Sequence, residues 1–206
     1  YSIGGFTCFI CFGWQGGLEK SLRAKMDYKN IEVEIRSFIT KLQYEQFLEF
    51  FNQNAELVKQ DYQETYYFDS EQDLRIQKNE QGSKIWLKKG QIHDDCREEL
   101  EIKFSKEDFD KANQIFQALD YSVEIKWFRT RHEFNWEGIK VCVDYTKGYG
   151  YIIELEKLSS VEEQEGVLDE LRQKMNELKI QETSKEEFNK QYENYKQNWR
   201  ELVNCK

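Results

Sequence analysis

Apolar and polar residues alternate along Ile31-Glu32-Val33-Glu34-Ile35-Arg36. A period of two marks a β-strand with unlike faces. Similar stretches, bounded by turn residues, predict eight strands at 31–39, 61–69, 73–79, 84–90, 97–104, 122–134, 139–146 and 149–158. Helical spacing replaces alternation in two places. Thr40 is a suitable N-cap for a helix over 41–58 with Tyr44, Phe47, Leu48 and Phe51 on one face. Ser105 opens a second helix over 106–119, whose stripe is Phe109, Ala112, Ile115, Phe116 and Leu119. Both aromatic stripes read as core.

Two more helices close the chain behind capping boxes, Ser160 with Glu163 and Ser184 with Glu187. Leu168, Leu171, Met175 and Leu178 mark one stripe; Phe188, Tyr192, Tyr195, Trp199 and Leu202 mark the other. They are expected as a helical hairpin on the sheet exterior or against a second subunit, with Lys174 or Lys190 able to reach over a mouth of the barrel.

Turns fall at Asn79-Glu80-Gln81-Gly82, Trp136-Glu137-Gly138 and Lys147-Gly148. Short connections favour antiparallel neighbours, and eight such strands can close into a barrel with a narrow interior. The fold class is therefore α+β, an eight-stranded antiparallel β-barrel with flanking helices. A single domain over 26–206 is expected, with its barrel at 31–158 and terminal helices at 160–204. Residues 1–25 are aromatic, glycine-rich and nearly uncharged up to Gly17. Translation is expected to begin at Met26, which makes 1–25 a non-native or disordered extension. The apolar run from Ile3 to Trp14 is too short to span a bilayer and lacks a basic flank, so no membrane association is expected.

A formal net charge of −9 argues against a nucleic-acid partner. Five cysteines without a paired spacing suit a reduced, cytoplasmic setting. Cys8-Phe9-Ile10-Cys11 stands alone and reads as incidental. The chain has no proline, for which we have no physical account.

The chemistry lies in the polar faces of the strands. Glu32 and Glu34 share one face of the first strand, and Glu154 and Glu156 share one face of the last. Were these strands neighbours, four carboxylates would converge, an unfavourable cluster unless cations neutralise it. Hard divalent ions, Mg²⁺ or Mn²⁺, suit such oxygen donors. The plain alternative is the wetted face of an antiparallel sheet. Strands in between carry Arg75, Arg97, Arg129 and Arg131, so acidic and basic faces together suggest a metal site opposite an anion site, and phosphate uses both.

At this point the residues resemble a known family. From Ile31 to Leu158 the chain is similar to the CYTH superfamily of triphosphate tunnel metalloenzymes, which includes class IV adenylyl cyclases and thiamine triphosphatases. Its opening Glu-x-Glu-x-Lys appears as Glu32-Val33-Glu34-Ile35-Arg36, and its closing motif as Asp144 followed by Gly148, Gly150 and Glu154-Leu155-Glu156. Between them fall Tyr66-Tyr67-Phe68-Asp69, Leu74-Arg75-Ile76-Gln77, Leu87-Lys88-Lys89-Gly90, Arg97-Glu98-Glu99 and Lys126-Trp127-Phe128-Arg129-Thr130-Arg131, in the family's order.

The resemblance implies a tunnel with Glu32, Glu34, Asp144, Glu154 and Glu156 as metal ligands. Arg36, Arg75, Lys89, Arg97, Lys126, Arg129 and Arg131 would bind substrate phosphates. Glu34, Glu99 and Arg36 would take part in catalysis, Glu99 by coordinating metal or orienting water. Lys89 is preferred to Lys88 because it shares parity with Ile85 and Leu87 and directly precedes Gly90. Lys126 has the opposite parity to Arg129 and Arg131, so it faces inward only through a bulge. Two positions depart from the family pattern: Arg36 replaces a lysine, and Gln77 replaces an arginine and removes one positive contact. His93 and His132 are expected at the surface or between strands, and His93-Asp94-Asp95 in a turn.

Three functions follow. The first is a Mg²⁺- or Mn²⁺-dependent triphosphatase acting on inorganic triphosphate, thiamine triphosphate or ATP. The others are an adenylyl cyclase converting ATP to cyclic AMP and pyrophosphate, and a non-catalytic triphosphate-binding module; a homodimer is compatible with all three.

Overall fold

The computed structural model describes residues 31–89 and 96–204. The expectations for 1–25, for Cys8 and Cys11, and for His93-Asp94-Asp95 lie outside the described residues, as does the side chain of Arg97. Along the chain run β1 (Ile31–Ile39), α1 (Lys41–Asn54), β2 (Glu56–Phe68), β3 (Asp73–Lys78), β4 (Ser83–Lys88), β5 (Cys96–Phe104), α2 (Phe109–Ala118), β6 (Val123–Trp136), β7 (Ile139–Thr146), β8 (Gly150–Ser159), α3 (Gln164–Glu177) and α4 (Lys185–Leu202). The strands close in the order β1-β5-β4-β3-β2-β6-β7-β8, every pair antiparallel. The first and last strands are thus neighbours, which sets the two Glu-x-Glu segments side by side.

The barrel is apolar outside and polar within. Val33 and Ile35 of β1, Val141 and Val143 of β7, and Ile153 and Leu155 of β8 are fully or almost fully buried, packed in one cluster with Phe51 of α1 and Leu171 and Met175 of α3. A second outer cluster joins Tyr66, Phe68 and Ile76 to Phe109 of α2. The helices are needed because an apolar barrel exterior must be covered.

The second terminal helix does not lie on that exterior. Phe188 and Tyr192 of α4 line the barrel's channel. Tyr192, Tyr195 and Trp199 pack with Ile125 and Trp127, which share the parity of Arg129 and Arg131. Tyr195 donates to the Lys126 carbonyl at 3.0 Å, and the Trp199 indole to that of Glu124 at 3.0 Å. Gly148 fits the turn against this helix: its φ is +77°, and a Cβ there would meet Leu202 Cβ at 2.8 Å. Lys174 turns instead to Glu137 and Glu177.

Local details correct three expectations. α1 ends at Asn54, and β2 starts at Glu56 because the long β6 extends to Trp136 and pairs Asn135 with Glu56. Ser105 precedes a 3₁₀ turn (Lys106–Asp108) with its hydroxyl against Glu107, without capping a backbone N–H. Ser160 likewise donates to the Glu163 carboxylate, at 3.2 Å, and α3 begins one residue later. The other caps form. Thr40 and Gln43 complete a capping box, and Ser184 accepts the Glu187 N–H at 3.2 Å; such caps contribute about 1 kcal/mol each.

Candidate active site

A channel of about 730 Å³ occupies the barrel, and its chemistry is set by strand parity. On the β1–β8 wall, Glu34 lies opposite Glu156 and Arg36 opposite Glu154. Carboxylate oxygens of Glu32, Glu34 and Glu156 all lie within 4.8 Å of one another. Burial would raise the Glu32 carboxyl, but the Lys88 ammonium and a hydrogen bond with Glu156 hold it well below the usual range. Glu156 moves oppositely, pushed up to about 8 by burial and by its acidic neighbours Glu32 and Glu154 against the pull of Lys140.

Lys88 threads this wall. Its ammonium donates to Glu32, stands 3.1 Å from Glu99 Oε2 and reaches within 4.0 Å of Glu34 Oε2. Burial raises the Glu99 carboxyl, and the neighbouring Glu32 adds to the rise. Arg36 stands 3.4 Å from Glu34 and lies over the Phe188 ring at 5.0 Å.

The β6–β7 wall is arranged in opposite-charge pairs. Arg131 donates from Nε to Asp144 Oδ1 at 3.0 Å and from Nη2 to Asp144 Oδ2 at 2.6 Å, with Nη2 also bonded to Glu154. Burial opposes ionisation of Glu154, but Arg131, Arg129 and Arg36 together hold its carboxyl far below the usual range. Arg129 reaches Asp144 at 3.3 Å. Farther round, Asp73 clamps Arg75 at both Nε and Nη2, and the Arg75 guanidinium lies 4.3 Å from the centre of the Tyr67 ring.

The acids expected as metal ligands therefore divide. Glu32, Glu34 and Glu156 form one cluster, a hard oxygen donor set of the kind Mg²⁺ or Mn²⁺ takes. Asp144 and Glu154 face the same channel but hold arginines. Arg36, Arg75, Arg129, Arg131 and Glu99 line the channel. Arg97 lies opposite Glu32 in the β1–β5 register.

Two lysines are corrected. Lys89 points outward to Glu98 at 3.2 Å, and Lys88 takes the inward position. Parity with Ile85 and Leu87 indicated the exterior, because in this barrel the apolar residues face out; Lys88 instead shares parity with the channel residues Lys84 and Trp86. Lys126 also faces outward, its ammonium 2.9 Å from Tyr66 Oη. The β2–β6 register does shift, between Tyr67 and Phe68, but the shift does not turn Lys126 inward. His132 sits behind the wall, Nδ1 3.5 Å from Tyr44 Oη, and burial lowers its pKa.

Lys140 and Gln63 are channel residues that sequence reasoning missed, and Lys88 is one that it set aside in favour of Lys89. Lys140 carried a usable signal, since it shares parity with Asp144. Gln63 carried none, being a neutral residue whose importance comes from the strand across from it.

The matches to known proteins agree with this geometry. The CYTH domain family model matches residues 30–187, and the chain belongs to that family. A Methanocaldococcus jannaschii protein named "Putative adenylate cyclase" is 30% identical over 175 residues, 79% of this chain and 90% of the relative. A conserved hypothetical protein of Pyrococcus furiosus superposes with a TM-score of 0.61 at 24% identity, covering 73% of this chain and 91% of its own. A Hippeastrum structure, described as an adenylyl cyclase candidate with a dominant triphosphatase activity, superposes with a TM-score of 0.54 at 17% identity over 76% and 92%. Among the described residues no helix is long and apolar enough to cross a membrane.

Proposed function

We propose that this chain is a divalent-metal-dependent triphosphate hydrolase, acting on inorganic triphosphate or on an organic triphosphate such as thiamine triphosphate or ATP. The observation that carries the reading is the convergence of Glu32, Glu34 and Glu156 within 4.8 Å on a channel that Arg129 and Arg131 also line. Phosphoryl transfer depends mainly on positioning and on stabilising charge over phosphate oxygens, and this wall arrangement suits both tasks. Mg²⁺ or Mn²⁺ held by the three acids would neutralise phosphate charge and polarise the attacking oxygen. Arg36, Arg75, Arg129 and Arg131 hold the phosphate chain, joined by Lys88 in the place expected of Lys89. Glu99, made more basic by its burial, accepts the proton of the attacking water. Water adds to the terminal phosphorus, the bridging P–O bond breaks, and diphosphate leaves with the bonding electrons.

A second reading is an adenylyl cyclase, in which the ribose 3′-hydroxyl attacks the α-phosphorus and pyrophosphate leaves. The name of the Methanocaldococcus jannaschii relative favours it. The Hippeastrum fold relative joins both descriptions, so fold likeness does not choose between the reactions. Purified protein is incubated with Mg²⁺ or Mn²⁺ and ATP, thiamine triphosphate or inorganic triphosphate, and phosphate, pyrophosphate and cyclic AMP are measured. Phosphate without cyclic AMP is the expected result. Cyclic AMP with pyrophosphate replaces the first reading by the second, and metal-dependent binding without turnover replaces both by a binding module.

A further inference from the structure

Arg129 is held differently from the arginines around it. Asp73 clamps Arg75, and Asp144 with Glu154 clamps Arg131, so carboxylates cancel much of both charges. The Arg129 fork rests on a neutral oxygen. Gln63 Oε1 accepts from Arg129 Nε at 2.9 Å and from Nη2 at 2.6 Å. Asp144 meets only the remaining nitrogen, at 3.3 Å.

The same Gln63 oxygen accepts from Gln77 Nε2 at 2.9 Å, while Gln63 Nε2 donates to Asp61 Oδ1 at 3.1 Å. Asp61 is itself fixed by Lys59 at 2.9 Å and Asn79 at 2.5 Å. These partners permit one orientation of the Gln63 amide, since the reverse would set an NH₂ against a guanidinium and a carbonyl against a carboxylate. Gln77 occupies the position where the family pattern has a second arginine. A guanidinium there would place like charge beside Arg129, whereas the amide donates to the oxygen that holds it.

We propose that Gln63 is a positioning residue that fixes the Arg129 fork in the channel while leaving its positive charge available to the triphosphate. The inference rests on the triphosphate reading above. It assigns Gln77 a supporting part: one cation is lost and the next is held more firmly. Such an effect belongs to binding, so it should appear in Kd and KM before kcat.

The test is calorimetric titration of the full chain with inorganic triphosphate in Mg²⁺, alongside steady-state kinetics. Gln63→Glu keeps the size of the side chain but supplies a carboxylate that cancels Arg129, and should raise Kd and KM by about tenfold while kcat changes by less than about threefold. Gln77→Met removes one donor to Gln63 and should raise Kd by about threefold. It decides the matter if thermal melting shows that Gln63→Glu is unfolded. Binding by both folded variants within error of the parent overturns the inference alone. A parent that binds no triphosphate overturns the inference together with the function on which it rests.

Discussion

The two charged walls of the channel solve the same electrostatic problem in opposite ways. On the β6–β7 side, Arg131 lies between Asp144 and Glu154, and the charges are satisfied within the protein. On the β1–β8 side, three carboxylates crowd together, with Lys88 against Glu32 and Lys140 against Glu156, and burial beside other acids pushes the Glu156 carboxyl up. A wall of matched pairs is complete as it stands. The crowded wall gains most when a further cation enters, because burial makes each unneutralised carboxylate costly. The contrast separates charges already met by partners within the protein from acids that would gain from a further cation.

The largest effect should come from the crowded wall. Glu34→Gln or Glu156→Gln should lower metal-dependent turnover by about a hundredfold or more, while metal-free stability holds or rises because like-charge repulsion is relieved. Turnover with Mg²⁺ and Mn²⁺, paired with thermal melting in chelator, checks both halves. Retained turnover would remove that residue from the ligand set.

The matched wall should respond with the opposite stability sign. Arg131→Ala should cost on the order of 2 kcal/mol or more in transition-state stabilisation, read from kcat/KM. It should also destabilise the fold by about 3 kcal/mol, since it strands two buried carboxylates. An Arg131→Ala protein as stable as its parent would show that the two walls do not differ in the way described.

A smaller effect separates the walls by pH. Glu156 titrates at about 8 in the folded chain against an ordinary 4.5, so between these values the native state binds the extra proton. Stability from this group is therefore complete below pH 4.5 and is lost as pH rises through 8, and the raised Glu99 acts with the same sign. The lowered carboxyls of Glu32 and Glu154 contribute stability already present above 4.5 and lost only on further acidification. Metal-free protein should thus melt about 4 °C or more lower at pH 8 than at pH 5.5. The Glu156→Gln variant should flatten much of that slope, and saturating Mn²⁺ should reduce it by displacing the Glu156 proton. An unchanged slope in Glu156→Gln would contradict the raised Glu156 carboxyl.

Much of this architecture was legible in the chain. Alternation at Ile31–Arg36 and Tyr151–Glu156 located the acidic rungs, and short turns implied antiparallel closure. Asp144 and Glu154 were placed on the channel, but whether an inward acid meets arginine or other acids depends on the register across β6, β7 and β8, which sequence spacing does not encode. Gln63 escaped for the same reason, as its partners lie 14 and 66 positions away. The position of α4 across the channel was hidden because an aromatic helix stripe looks the same whether it covers a barrel's side or its end.

Lysine parity tests the boundary between inside and outside, with the smallest expected changes. In a barrel with a polar interior, a lysine aligned with apolar neighbours belongs to the exterior, the reverse of the rule for a packed core. Lys89, half exposed beside Glu98, and Lys126, held against Tyr66, both fall on that side. Lys89→Met and Lys126→Met should each leave triphosphate turnover within about twofold of the parent, as ordinary exterior substitutions do. Lys88→Met provides the contrast: it withdraws a buried cation from Glu32, Glu99 and Glu34 together, and should lower turnover by about tenfold or more. If kinetics on the three variants show Lys89→Met to be the damaging one, the register of β4 is off by one residue, and every inward assignment on that strand changes face with it.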